Sequence, residues 1–193
     1  MKPYSVIDVS NYFIDYYKRS VDLMTVPRVQ LFVYFAQAES LCRFGRPLFL
    51  DEIRAYPNGP GCSRLYAYYE GAGNNPINVY KDFDISIFEE EDLQLLKDVA
   101  IYYNTYSTSQ LQIMTYAVGG PWEQSYIQGT DLRAIEPSII KEFYESKPRV
   151  PDYHSTMLQA ISNACDICFM PNSKPASEST TINTMDEVTQ SWE

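Results

Sequence analysis

The amino-acid sequence predicts a mainly α fold: a single compact helical domain of about six to seven helices with a small β-hairpin, plus a C-terminal tail. Three observations carry that expectation. Apolar residues recur three and four apart in most segments that Gly and Pro delimit. A chain of 193 residues with 45% hydrophobic side chains fills one core of ordinary size and falls short of two. From Asn172 onward Ser, Thr, Asn and Glu dominate, and such a stretch cannot bury enough apolar surface to offset its ordering entropy. The expected division is a helical domain over residues 1–149, an accessory helix over 150–171, and a tail over 172–193 that is disordered or folds only on a partner.

Ser5, followed three residues later by Asp8, has the spacing of a capping box, and Val6, Val9, Phe13 and Tyr17 then recur on one face, so a first helix is expected from about Val6 to Arg19. Thr25 can cap a second helix with Pro27 in its first turn. Val29, Phe32, Val33, Ala36 and Leu41 form its buried stripe until Gly45 stops it. Between Arg46 and Tyr56 the acidic pair Asp51-Glu52 separates two short strand-like runs, which places a hairpin there. Asn58-Gly59-Pro60-Gly61 is punctuation, and a helix over Cys62–Glu70 follows it. Residues 77–88 read as loop. Glu89-Glu-Glu-Asp92 then opens a helix with Leu93, Leu96, Val99 and Tyr103 facing inward, its acids complementing the helix dipole. Ser107-x-x-Gln110 is a second capping box, leading Leu111, Met114 and Val118 into Gly119-Gly120, and Pro121-Trp122 starts a new segment. Glu136-Pro137 opens a helix with Ile139, Ile140, Phe143 and Tyr144 on one face, and an amphipathic segment with Met157, Leu158, Ile161, Cys165 and Cys168 follows.

Charge and composition exclude several functions. With 25 acidic against 15 basic residues, a formal charge of −10, the basic footprint of a nucleic-acid-binding protein is missing, and direct nucleic-acid binding is not expected. The same surface suits solubility and can attract a basic partner. No apolar run approaches the roughly 20 residues of a spanning helix, and the N-terminus lacks a secretory signal, so no membrane association and a cytoplasmic location are expected. Four cysteines, Cys42, Cys62, Cys165 and Cys168, are too sparse for a disulfide scaffold. Seventeen tyrosines are the most unusual feature of the composition, and most are expected in the core with a minority at an interface.

The sequence offers no coherent catalytic set, and no enzyme is expected. The single histidine, His154, sits beside Asp152 and Tyr153 with no nucleophile at a defined spacing. Cys165-x-x-Cys168 has metal-ligand spacing and with His154 could give three ligands of a zinc site. A second Cys-x-x-Cys is absent, however, and cysteines at helical spacing beside Leu158 and Ile161 often act as small apolar residues, so no metal or cofactor is expected. Gly71-Ala-Gly73 has no following Gly-Lys-Ser or Gly-Lys-Thr, which leaves no phosphate cradle.

Several segments, in order and spacing, together resemble the Panacea domain, the SocA-like antitoxin domain of phage-associated proteins. They are Asp8-Val-Ser-Asn-Tyr-Phe13, Gln30-Leu-Phe-Val-Tyr-Phe-Ala-Gln37, Gly45-Arg-Pro-Leu-Phe49, Ile53-Arg-Ala-Tyr-Pro-Asn-Gly-Pro60, Leu111-Gln-Ile-Met-Thr-Tyr116 and Pro121-Trp122, covering about residues 5–146. The chain departs from the family pattern at Pro27-Arg-Val-Gln-Leu31, at Tyr116 where His is common, and at Gly61 where Val is common. The resemblance implies a helical domain with a small hairpin and a protein that neutralises a toxin or host effector by direct binding, or by delivering it to a protease. It also implies a partner encoded nearby, often on a prophage. An acidic inhibitor of a host defence nuclease, occupying a nucleic-acid groove, is the alternative in the same setting, and an assembly factor whose tail folds on a partner is a third. Tyr56, Asn58, Gly59 and Trp122 are the partner-binding candidates, although an aromatic before a Gly-Pro turn and a Trp after Gly-Gly also pack over helix ends for purely structural reasons.

Overall fold

A computed structural model describes residues 3–18, 23–77, 83–128 and 132–168, the side chains of 161–168 excepted. Its helices are α1 (Val6–Tyr17), α2 (Val26–Phe44), α3 (Ser63–Tyr68), α4 (Glu90–Tyr103), α5 (Thr108–Thr115), α6 (Pro121–Ser125), α7 (Pro137–Glu145) and α8 (Tyr153–Cys168). Strands β1 (Ile53–Tyr56) and β2 (Gly59–Cys62) pair as one antiparallel hairpin. The fold is mainly α with a small hairpin, as the apolar spacing predicts. The chain divides into a compact unit of Met1–Thr156 and a second unit of Met157–Glu193. Tail residues 172–193 lie outside the described residues, and so does Arg19, the expected end of α1.

The second helix is the axis of the first unit. Thr25 caps it by accepting a hydrogen bond from the Arg28 N–H, Pro27 sits in its first turn, and Gly45 ends it in the left-handed conformation at φ 69°. Every residue from Arg28 to Leu41 is buried, because α1, α3, α4, α5, α7 and the hairpin all pack on it. A helix buried on all sides must satisfy its polar side chains internally. Gln30 does so on β2: its Nε2 donates to the Cys62 carbonyl at 3.0 Å and its Oε1 accepts the Cys62 N–H at 2.7 Å. Gln37, two turns further on, accepts the N–H groups of Leu48 (2.9 Å) and Phe49 (3.3 Å) and donates to the Phe49 carbonyl at 3.0 Å. Each glutamine amide thus pairs with an extended segment as a neighbouring strand would.

The hairpin lies one step later than the sequence reading places it. Asp51-Glu52 precede β1, the loop is Pro57-Asn58, and β2 is Gly-Pro-Gly-Cys. That composition has no strand propensity, and the strand forms because the buried face of α2 supplies its outer hydrogen bonds. A third extended piece borders the other side: the Ala55 N–H donates to the Arg133 carbonyl at 2.9 Å and the Ile135 N–H to the Ile53 carbonyl at 2.7 Å.

Smaller corrections have similar causes. Ser5 accepts the Ile7 N–H and Asp51, from the loop after α2, takes the Val6 N–H, while Asp8 does not close the capping box. On α4, Leu95 and Ala100 join Leu96, Val99 and Tyr103 inside, while Leu93 is half-buried. Asp92 belongs to the acidic first turn, yet it is fully buried, paired with Arg46 at 2.8 Å and accepting the Tyr4 hydroxyl at 2.9 Å. Asp98, also fully buried, holds Arg43 at 2.7 Å and accepts the Tyr153 N–H at 3.2 Å, and Glu39 accepts the Val150 N–H at 3.1 Å. These two carboxylates fasten residues 150–153 to α2 and α4. Val118, expected on the α5 stripe, lies past its end and is 90% exposed.

Tyrosine fills much of the core. Tyr12, Tyr17, Tyr34, Tyr69 and Tyr103 are buried, and Tyr103 stacks on Phe35 at 4.1 Å between ring centres. Burial pushes the hydroxyls of Tyr4, Tyr69 and Tyr144 up to about 12 from the ordinary value of 10. Because the folded-state values are raised, this stability is complete below pH 10 and is lost as pH rises through 12. An alkaline titration is therefore expected to show a group of tyrosines that ionise late, their tyrosinate absorbance rising together with loss of the helical circular dichroism. Gln37→Met is expected to leave three backbone groups without partners and to cost about 2–5 kcal/mol in urea denaturation. A loss under about 1 kcal/mol would contradict the clamp.

Candidate functional site

The four partner-binding candidates converge on the hairpin tip. Trp122, on the first turn of α6, donates its Nε1–H to the Tyr56 carbonyl at 2.7 Å. Its ring stacks on Tyr126 with centroids 4.5 Å apart and tilts over Tyr116 at 4.4 Å. Gln112, on α5, donates from Nε2 to the Asn58 carbonyl at 2.9 Å and to the Tyr116 hydroxyl at 2.8 Å. Tyr56 shares a hydroxyl hydrogen bond with Ser63 at 2.7 Å, and its ring meets Tyr66 at 4.9 Å. The loop is thereby held from both sides.

Gly59 has φ 113°, which L side chains rarely adopt, and a Cβ there would lie 3.3 Å from the Thr115 hydroxyl oxygen. Gly61 has no such φ, but its Cβ would sit 3.0 Å from the Tyr66 ring. The aromatic on α3 thus occupies the space that a valine would need, and this explains physically why glycine stands at that position here. Thr115 in turn donates to the Gln112 carbonyl at 2.7 Å. The Leu-x-x-x-Thr and Pro-Trp segments therefore meet at the Gly-Pro turn, although about fifty residues separate them from it.

Beside the tip a cavity of about 310 Å³ opens between the start of α2, the hairpin and α5, lined by Pro27, Asn58, Pro60, Tyr66, Thr108 and Gln112 among others. None of these side chains is charged. Around the same corner Ile113 is 68% exposed and Tyr66 36%, while the Trp122 and Tyr56 polar atoms are already engaged. The arrangement has no nucleophile beside a base. It can present a rigid aromatic surface with amide and hydroxyl groups, which suits protein recognition.

Residues 30–123 match the family model of the antitoxin SocA-like, Panacea domain. No curated protein and no solved structure matches the chain. The match spans the motifs from Gln30 to Trp122, leaves Asp8–Phe13 outside, and bears out the resemblance over that segment. Its first residue, Gln30, holds β2 through Cys62, and Trp122, next to its last, holds the end of β1 through Tyr56. Both clamps on the hairpin lie inside the matched segment.

The other candidates do not join this site. His154 is exposed and borders an open cleft of about 750 Å³ with Glu89, Glu90, Glu91 and Lys97. Cys165 and Cys168 lie near the end of α8, where the side chains are outside the described residues. Among the described residues no three His, Cys, Asp or Glu side chains gather as a metal site requires. Burial pushes the Cys42 and Cys62 thiols up, away from reactive thiolate. No helix among the described residues is long and apolar enough to cross a membrane.

Sequence reasoning missed Gln30, Tyr66, Gln112 and Thr115. Two glutamines seven apart in the otherwise apolar run Val29–Ala38 are a legible signal for the first, whereas half-buried Gln112 and exposed Tyr66 stand at ordinary helix positions. Gly59→Ala is expected to destabilise by about 1–2 kcal/mol through its backbone conformation. Trp122→Phe, which keeps the ring but removes the N–H, is expected to speed amide exchange in β1 and β2 selectively. Uniform change across α1 and α4 would contradict this local role.

Proposed function

We propose that this protein is a non-enzymatic, antitoxin-like protein that neutralises a toxin or host effector by direct binding. The observation that carries the reading is the Panacea match, whose motif residues build one prearranged aromatic and amide surface at the hairpin tip. A surface already fixed by internal hydrogen bonds loses little entropy on binding, which favours tight association. The charge of −10 favours a basic partner, and toxins that handle nucleic acid are commonly basic around their active sites. The proposal includes a phage or mobile-element setting, a cytoplasmic location and a partner encoded beside this gene. Delivery to a protease is the variant in which binding leads to degradation.

Co-expression with the product of the adjacent open reading frame tests it. That product is expected to arrest growth alone and to be silenced by this protein, with Trp122→Ala weakening both rescue and co-purification while the fold persists. A harmless neighbour, or one that this protein neither binds nor rescues, overturns the proposal. One observation favours a second reading: the cleft beside α4 is lined by three glutamates, as an acidic inhibitor of a host defence nuclease would require. Inhibition through that cleft would weaken steeply with ionic strength and with Glu90→Lys, but not with Trp122→Ala.

A further inference from the structure

We propose that the free edge of the hairpin sheet, at residues 132–136, receives an extended strand of a partner protein that carries alternating basic and apolar side chains. This rests on the binding role proposed above and locates it. The two borders of the small sheet are built differently. On β2 the outward N–H and C=O of Cys62 are both consumed by Gln30, and Pro60, the other outward residue, has no N–H. That border is closed to a further strand.

The opposite border is open at Ala134, whereas the Leu132 carbonyl already accepts from Arg54 and the Glu136 carbonyl from the Ile139 and Ile140 N–H groups. Arg54 and Ala134 face each other in antiparallel fashion, with the flanking Ala55 N–H bonded to the Arg133 carbonyl and the Ile135 N–H bonded to the Ile53 carbonyl. In that pattern the N–H and C=O of Ala134 point away from β1. Among the described residues neither has a hydrogen-bond partner, and Ala134 is only half-buried. Such an unpaired edge is a template for strand addition.

A pocket of about 190 Å³ adjoins that edge, floored by Phe49, Ile53, Ile135 and Ile140 and flanked by Leu50, which is 72% exposed. It is smaller than the roughly 300 Å³ at which small-molecule pockets begin, and fits one or two side chains. Its rim carries Asp51, Glu52 and Glu136. Asp51 and Glu52 hold the half-exposed Arg64 and Arg54, at 3.1 Å and 2.6 Å, whereas Glu136 has no ion-pair partner among the described residues. The Arg54–Glu52 pair is exposed on both sides and exchanges partners at little cost, whereas Asp51 also holds the Val6 N–H. An apolar side chain in the pocket with Lys or Arg at the rim is the complement, in keeping with a chain of charge −10.

The test uses the full chain, an acetylated and amidated pentapeptide of alternating Lys and Val, and its counterpart with Glu in place of Lys, followed by amide chemical shifts. The basic peptide is expected to shift Ala134, Ile135, Leu50 and Ile53, and to bind less well as salt rises. Leu50→Asp and Glu136→Lys, both at exposed positions, are each expected to weaken it on the order of fivefold to tenfold with unchanged circular dichroism. Equal binding of both peptides, shifts centred elsewhere, or insensitivity to both substitutions overturns the proposal. A dimer by light scattering that Leu50→Asp dissociates overturns it also. The two proposals fail separately: neutralisation that survives Leu50→Asp and Glu136→Lys sinks the edge and spares the antitoxin role, while a mapped peptide site beside a harmless neighbour does the reverse.

Discussion

The amides of Gln30 and Gln37 on α2 decide where the extended parts of this protein lie. A helix rises about 1.5 Å per residue, so the two side chains leave one face about 10 Å apart and fix two segments at that separation. Gln37 sets the chain at Leu48–Phe49 and Gln30 sets it at Cys62, which leaves the intervening residues only the length of one hairpin and its approach. Without the Gln30 amide the outward N–H and C=O of Cys62 would be buried against a helix with no partner, at about 1–3 kcal/mol for each orphaned group. The hairpin is therefore held more by α2 than by its own residues. Everything at its tip, from Trp122 to Gln112, packs on a loop whose base α2 has already fixed.

Buried carboxylates perform the same service for the helices. Asp92 ties Arg46 and Tyr4 to the start of α4, and Asp98 with Glu39 ties Arg43 and the backbone of residues 150–153 to α2. Each carboxylate accepts from several donors, which is the condition under which a buried charge is tolerated. The acidity of the chain thus has two parts. One holds the fold together from inside, and the other, at Glu89, Glu90, Glu136 and the tail, faces outward or lies beyond the described residues.

How far the site was legible depended on the kind of signal. Tyr56, Asn58, Gly59 and Trp122 were readable because a Gly-Pro turn after an aromatic and a Trp after Gly-Gly are local patterns, and the structure brings all four together. The partners that hold them were not, because Gln112 and Tyr66 look like any exposed polar or aromatic residue until the hairpin is laid against them. Local composition places the hairpin too early, since Gly-Pro-Gly carries turn chemistry in every local scale and only the face of α2 makes it a strand. Local composition groups Glu89–Asp92 as acids serving the helix dipole, yet helical spacing puts Asp92 on the buried face beside Arg46.

The helical class, the caps at Ser5, Thr25, Ser107 and Gly45, and the motifs of residues 30–123 are all legible in the residues themselves. Those features act over one or two turns, where spacing and side-chain chemistry suffice. Tertiary structure alone decided the register of the hairpin, the burial of Asp92 and Asp98, the aromatic shelf at the tip and the open edge at Ala134. Each of these depends on a partner tens of residues away, and a hydrogen bond between distant residues leaves no trace in local composition.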